Sequence, residues 1–324
     1  MASPNLSELV TTTLRNRTGQ LADNVSENNA LLSRLRKRGN IKTADGGRTI
    51  VQELEYAENG TFGYYSGYET IDISPSDVLS AAEFDWKQAS CAVVISGLEE
   101  IQNSGASAII NLLGSRIKNA ERTMMNKISE GVYSDGTGEG GKQIGGLQLL
   151  VADDPTTGTV GGIDRATYDF WRNEATVSGT AATSSNIKDR MNAMATSLVR
   201  GTDGTDMIVA DNAYYNLYLS SLQDIQRIQS EDMAGAGFTS LKYFGAGKAA
   251  DVVLDGGKGG ACPTNTMYFL NTDYIHFRPH PSRNFTYESD ERKAINQDAI
   301  VKLNLFAGNM TLSNASLQGV LTES

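Results

Sequence analysis

Residues 48–90 read as a long two-stranded ribbon with no apolar layer of its own to close against. Thr49–Tyr56 alternates strictly, with Ile50, Leu54 and Tyr56 on one face and Val51, Glu53 and Glu55 on the other. Glu83–Gln88 reads as the return strand, with Phe84 and Trp86 opposite Glu83, Asp85 and Lys87. A period of two marks half-buried strands. The tip between them is rich in glycine and aromatics: Asn59-Gly60, Phe62-Gly63-Tyr64-Tyr65 and Gly67-Tyr68. An isolated hairpin is marginal in water, so a chain that builds one this long lays it on something. A neighbouring molecule would make assembly the first hypothesis; folding back onto the same domain is the alternative, and alternation alone does not choose. Phe62, Tyr64, Tyr65 and Tyr68 suit protein contacts, each tyrosine having an apolar body and a polar end. A local cluster that only stiffens the loop is the plainer reading, and contact is preferred over it.

The remaining pattern mixes helices and strands in sequence, an α+β chain. Within residues 1–40, Leu6, Leu9, Val10 and Leu14 form one helical stripe and Leu31, Leu32 and Leu35 another. The strongest helix runs over 104–130, with Ile109, Leu113, Ile117, Ala120, Met124 and Ile128 on one face and Gly131 as its expected cap. A Gly-rich loop, 134–142, leads to an expected short strand, Gly146–Val151. After an Ala/Thr/Ser/Gly stretch at 175–185, a compact α/β unit is expected. It comprises a helix with Ile187, Met191, Met194 and Leu198, a buried strand Met207–Ala210, and a helix capped by Asp211 with Tyr214, Tyr218, Leu222 and Ile225 on one face. Strands then follow at Val252–Leu254, Met267–Leu270, Tyr274–Phe277 and Ala299–Phe306.

Charge is divided unevenly. Residues 1–40 carry Arg15, Arg17, Arg34, Arg36, Lys37 and Arg38 against three acidic residues, net +3, which leaves −13 for the rest of a chain of net −10. A basic arm on an acidic body fits nucleic acid or the acidic surface of a neighbouring copy. The second is preferred, because no aromatics interleave the cations and the body would repel a polyanion. The arm carries little apolar surface, so removing residues 1–40 should leave a folded body. No run of 18 apolar residues exists for a membrane span, and no signal peptide is expected from Met1–Glu8. Cys91 opens an apolar run and reads as core; Cys262 lies in a Gly/Pro loop, and the pair suggests no disulfide framework.

Chemistry is sparse. Gly136–Lys142 nearly matches a phosphate-binding loop, but Gln143 stands where a Ser or Thr must reach magnesium, and the loop follows a helix instead of a strand. His276 and His280 are four apart, yet Pro279 forbids a regular helix across them, and they read as strand-end residues and not metal ligands. Gly201–Asp206 has the flavour of a calcium-binding repeat but occurs once, as a turn does. Glu99-Glu100 and Asp153-Asp154 are adjacent carboxylates, usual for solvated faces, and no Gly-X-Ser-X-Gly elbow is present. No catalytic, cofactor-binding or metal-binding residue is assigned, and no cofactor is expected.

Two segments carry a resemblance. Gly161-Gly-Ile-Asp-Arg165 with Phe170-Trp-Arg-Asn173, and Phe306-Ala-Gly-Asn-Met-Thr-Leu-Ser-Asn314 with Leu317-Gln-Gly-Val-Leu321, lie in an element order that resembles the major capsid proteins of tailed bacteriophages, of Hong Kong 97-like fold. The resemblance covers nearly the whole chain and rests on order more than on either motif. It implies an N-terminal arm at 1–45, an extended loop at 46–90 lying over the adjacent subunit, and a peripheral domain at 91–175 with a spine helix at 104–130. An axial domain at 176–282 would follow, with return strands at 283–313 and a final strand at 314–324 completing the axial domain. The flexible Gly-rich stretch 234–260 would lie toward the five- and six-fold axes. Intersubunit contacts would fall on Arg15, Arg17, Arg34, Arg36, Lys37, Arg38, Phe62, Tyr64, Tyr65 and Tyr68. The implied function is a structural, non-enzymatic subunit that self-assembles into pentamers and hexamers of an icosahedral shell around double-stranded DNA, contacted non-specifically. The implied partners are other copies, a separate scaffold protein and a portal, with no membrane. The location would be the virion, assembled in the host bacterial cytoplasm. Lys87, at the ribbon's base, is its one lysine, so a Lys–Asn crosslink of the kind some relatives form is not expected. An encapsulin-like compartment shares the fold. A soluble hydrolase or lyase with a spatially assembled site is the reading from another class, and it requires a deep pocket of convergent carboxylates or histidines.

Overall fold

A computed structural model describes residues 29–102, 106–222, 240–245, 248–256, 260–287, 292–293 and 298–323, with the side chains of 100–113, 240 and 292–293 left aside. The first described element is a helix, α1 (Ala30–Arg38), with Asn29 Oδ1 accepting from Leu32 N and Gly39 closing it at φ 72°. The Gly39 conformation is the left-handed one that ends helices at little steric cost. Leu31, Leu32 and Leu35 are fully buried. This corrects the expectation of a dispensable arm: a three-leucine stripe on nine residues is short, but it enters the main core, where each leucine is worth ~1.5–3 kcal/mol. Leu6, Leu9, Val10, Leu14, Arg15 and Arg17 lie outside the described residues. Beyond α1 the chain runs beside residues 277–279, Lys42 N and Ala44 N donating to the Phe277 and Pro279 carbonyls.

The ribbon is β1 (Ile50–Glu55) paired antiparallel with β2 (Leu79–Phe84). Ile50, Leu54, Ala82 and Phe84 point into the main core, so the base rests on its own domain. The return strand starts earlier than Glu83 and ends at Phe84. Asp85 breaks it, its carbonyl accepting from Asn309 Nδ2 at 2.8 Å. Trp86, expected beside Phe84, is half-buried, donates to the Gly47 carbonyl at 3.1 Å and meets the His280 ring edge-on. β3 (Lys87–Ser96) then leaves for a different sheet. In it Cys91 is only half-buried and Val94 is exposed, while Val93 is core.

A short helix, α2 (Gly97–Gln102), precedes α3 (Ala106–Val132), the long helix expected from periodicity. Ile117, Ala120, Met124 and Ile128 form its buried stripe; Ile109 and Leu113 lie outside the described side chains. The helix runs one residue past Gly131 because Val132 and Tyr133 are themselves fully buried. The expected strand Gly146–Val151 is instead a helical turn, Leu147–Leu150. Leu147, Leu150 and Val151 are all buried at helical offsets, and a short apolar run does not distinguish helix from strand by itself. Next comes a tight hairpin, β4 (Thr159–Val160) with β5 (Ile163–Asp164).

The remaining elements close two sheets. β6 (Glu174–Ser178), α4 (Ile187–Ser197), β7 (Met207–Ala210), α5 (Asn212–Ser221), β8 (Ser240–Phe244), β9 (Ala249–Leu254) and β10 (Thr266–Leu270) lead into β11 (Ile275–Pro279), β12 (Thr286–Tyr287), β13 (Arg292–Lys293), β14 (Ala299–Leu312) and β15 (Gly319–Glu323). One sheet has six strands in the order β6-β15-β10-β7-β9-β8. α4 and α5 cover one of its faces through Ile187, Met191, Met194, Leu198, Tyr214 and Tyr218. Asp211 caps α5 as expected, accepting from Tyr214 N at 2.9 Å, while Asn186 precedes α4 without a side-chain cap. Ile225 lies outside the described residues. The other sheet is built on β14, with β3 along one side and β11, β12 and β13 along the other. The main core joins α1, the ribbon base, α3, the β14 sheet and the inner face of the six-stranded sheet.

Candidate assembly surfaces

Past Glu58, which Arg200 reaches at 3.9 Å, the ribbon leaves the body. Tyr64 is 96% exposed and Ile73 90%, and Phe62, Tyr65, Tyr68, Ile71 and Leu79 are also open to solvent. Phe62 and Tyr64 meet edge to face at 5.4 Å, the one ring contact at the tip. Asx turns shape the loop, Asn59 Oδ1 taking Thr61 N at 3.0 Å and Asp72 Oδ1 taking Ser74 N at 2.9 Å. The Ser74 hydroxyl and amide hold the Asp72 carboxyl below its ordinary range. Residues 56–78 contain Glu58, Glu69, Asp72 and Asp77 and no lysine or arginine. The surface is thus aromatic and uniformly acidic, of the kind that an exposed monomer face seldom carries without a partner.

The base of this ribbon is rigid, and the first recognised motif explains why. The Gly161 carbonyl accepts Glu83 N at 2.9 Å. Gly161 has φ +59°, and a Cβ there would stand 2.8 Å from the Ala82 Cβ and 3.0 Å from Phe84 Cζ. Only glycine lets β2 approach this closely. Arg165, fully buried, donates to the Leu150 carbonyl at 2.5 Å, and burial lowers its pKa to about 10. Trp171 Nε1 donates to Val160 O at 2.9 Å, and Asn173 makes a reciprocal pair with the Ala152 backbone. The motif is a buttress under the ribbon. The second motif serves the sheets: Asn309 Oδ1 accepts Gly145 N at 3.0 Å, and Gln318 spans the Asn271 backbone at 3.0 and 3.1 Å.

The basic residues divide. Arg34 and Arg38, expected to meet a neighbour, reach carboxylates of their own chain instead: Asp206 and Asp251 for Arg34, Asp206 and Asp273 for Arg38. The leucines of α1 explain this, since burying them turns Arg34 and Arg38 toward the six-stranded sheet. Arg36 and Lys37 are exposed. The calcium-like segment is spoken for in the same way. Asp203 accepts from Tyr274 Oη at 2.5 Å, Asn271 Nδ2 at 3.1 Å and Lys248 Nζ at 3.1 Å, and Tyr274 first among these lowers its pKa.

His276 lies within β11, not at its end. It is buried, its Nδ1 has no partner, and burial with the nearby Arg278 and Lys42 lowers its pKa to about 4. His280, just beyond β11, bonds Ser282. Burial pushes the Cys262 thiol far up and leaves it unreactive. Among the described residues no group of three or more His, Cys, Asp or Glu is placed to hold a metal ion. A cavity of about 440 Å³ lies between α3, β3 and the 138–144 loop. It is lined by Met124, Ile128 and Cys91 with Lys127, Glu130 and Lys142, and Lys127 is paired with Glu130 at 2.6 Å. No histidine lines it. No described helix is long and apolar enough to cross a membrane.

No family model matches this chain, and no curated protein matches its sequence. Solved structures do match its fold. The capsid asymmetric unit of cyanophage A-1(L) aligns with TM-score 0.62 at 17% identity, over 88% of this chain and 91% of that one. The capsid of Myoviridae phage XM1 aligns with TM-score 0.52 at 12% identity, over 90% and 92%. The holo-SrpI encapsulin of Synechococcus elongatus PCC 7942 aligns with TM-score 0.52 at 8% identity, over 89% and 86%. The fold is therefore that of α+β shell-forming proteins. It is the tailed-phage capsid fold in particular, spanning about nine-tenths of the chain.

Proposed function

We propose that this chain is the major structural subunit of an icosahedral phage shell, assembling as pentamers and hexamers around packaged double-stranded DNA. One observation carries the reading. The ribbon is rooted in the core by Ile50, Leu54, Ala82 and Phe84 yet exposed and aromatic beyond Glu58. A rigid root with an uncovered, acidic tip is the form of a part that finishes folding on another molecule. In this reading Phe62, Tyr64, Tyr65 and Tyr68 meet the adjacent subunit, with Arg15, Arg17, Arg36 and Lys37 as arm contacts. α3 and the β14 sheet form the peripheral domain, and the six-stranded sheet with α4 and α5 forms the axial one. A separate scaffold protein, a portal and assembly in the host cytoplasm belong to the same proposal. In this reading the subunit's work is structural.

An encapsulin-like shell is the second reading, favoured by the alignment with the SrpI encapsulin. The test is expression of the full chain, size exclusion and negative-stain microscopy. Closed shells or five- and six-membered rings support a shell subunit, and nuclease-protected DNA against protein cargo then separates the two readings. A compact low-order oligomer that stays unassembled under crowding and high salt would overturn both.

A further inference from the structure

Four carboxylates and four cations meet where α1, the six-stranded sheet and the Asn271–Tyr274 link converge. Asp206 and Asp251 are almost wholly buried, their side chains 3% and 2% exposed. Arg34 bridges them, Nη2 to Asp206 at 3.3 Å and Nη1 to Asp251 at 3.4 Å. Arg38 bridges Asp206 at 3.0 Å and Asp273 at 2.9 Å. Lys242 from β8 completes Asp251 at 3.0 Å, and Lys248 completes Asp203 at 3.1 Å. Asp206 also takes Thr272 N at 2.8 Å and Thr272 Oγ1 at 2.6 Å. At the exit of α1, Asn40 Nδ2 donates to the Thr272 carbonyl at 2.6 Å. The link that carries the chain from β10 into β11 is therefore held at Asp273 by the last residue of the helix, Arg38, and at Thr272 by Asn40 just beyond it.

The two halves of that helix have different anchors. Its leucines lie in the main core, while its guanidinium groups reach the charged edge of the six-stranded sheet. Removing the two guanidinium groups would leave Asp206 a buried charge with no cation and Asp251 with Lys242 alone, the costly way to break a buried pair. We infer that α1 is a latch. It fixes how the six-stranded sheet is set against the β14 sheet, through the ion pairs of Arg34 and Arg38. The device goes beyond the shell reading and does not depend on it, so it is tested on the unassembled full chain.

The experiment is hydrogen exchange on the double variant Arg34→Met and Arg38→Met, which keeps apolar stems and removes both forks. Arg36→Met with Lys37→Met serves as a control of equal charge loss at exposed positions. Exchange in peptides covering 203–212 and 268–276 should rise at least tenfold, while peptides covering 124–133 and 303–312 keep wild-type protection and the control changes neither. A uniform rise across all four regions would overturn the latch, leaving α1 as ordinary core. No rise at 203–212 and 268–276 would overturn it as well. If the double variant does not fold, Arg38→Met alone decides, because Arg38 is 37% exposed and its loss spares the Arg34 bridge. A rise of at least threefold confined to 268–276 supports the latch, and its absence refutes it.

Discussion

Replacing Tyr64, Tyr65 and Tyr68 together with serine separates the ribbon's two possible roles. All three rings are exposed in the free subunit, so their removal should change its stability by no more than about 0.5 kcal/mol. On a partner the arithmetic differs. A tyrosine covered at an interface buries about 150–250 Å². If half of that is apolar and newly covered, at roughly 25 cal/mol per Å² each ring contributes about 2–3 kcal/mol. Ordering the loop offsets part of the sum, and a net loss of about 3 kcal/mol per subunit is a conservative figure. That corresponds to roughly a hundredfold rise in the protein concentration at which assembly begins, at about 1.4 kcal/mol per tenfold. Light scattering against concentration reads the threshold, and urea unfolding of free subunits reads the fold. An unchanged threshold, or a melting loss in the free subunit as large as the assembly loss, would refute the reasoning.

Other positions give outcomes as definite. Leu35→Ala removes a fully buried side chain of α1 and should cost about 2–5 kcal/mol in urea unfolding of the full chain; a loss under 1 kcal/mol would return α1 to the status of a dispensable arm. Gly161→Ala places a Cβ 2.8 Å from Ala82 at φ +59° and should cost about 1–3 kcal/mol, with protection lost first in the ribbon base; wild-type melting would show that β2 does not need the close approach. His276 titrates at about 4 when folded against 6.5 in its ordinary state, so between those values the unfolded chain binds more protons. Its contribution, about 3 kcal/mol, is fully present above pH 6.5 and is lost as pH falls through 4, and His276→Gln should flatten that part of the stability profile. A slope unchanged in the variant would assign the loss to other groups.

The parts legible in the sequence were those in which one segment carries its own pattern. The α3 stripe from Ile117 to Ile128, the Asp211 cap and the alternation at Ile50 and Leu54 each declare themselves within a dozen residues. What stayed hidden depended on partners distant in the chain. Leu31, Leu32 and Leu35 look like a modest stripe until Met207, Leu270 and Phe277 are brought to them. Asp206, Asp251 and Asp273 give no sign of belonging to Arg34 and Arg38, because 168 to 235 residues separate them. The end of the ribbon at Phe84 falls where the Asp85 carbonyl accepts from Asn309, a partner more than two hundred residues away that the local sequence does not announce. Of the candidate contacts, Tyr64, Tyr65 and Tyr68, read from the composition of the glycine-rich tip, are exposed there. Arg34 and Arg38 were misdirected, since charge pattern indicates that a partner is needed and not which molecule supplies it.

The strand order has a consequence for synthesis. β14 is the spine of one sheet, and β15 lies between β6 and β10 in the other. Neither sheet can close until residues 299–323 have been made, and β14 must then find β3 some two hundred residues earlier in the chain. Such distant pairing is slow and leaves strand edges open meanwhile. A chain stopped short of β14 can still pair β10, β7, β9 and β8, but β3 and β11 are left with no strand between them.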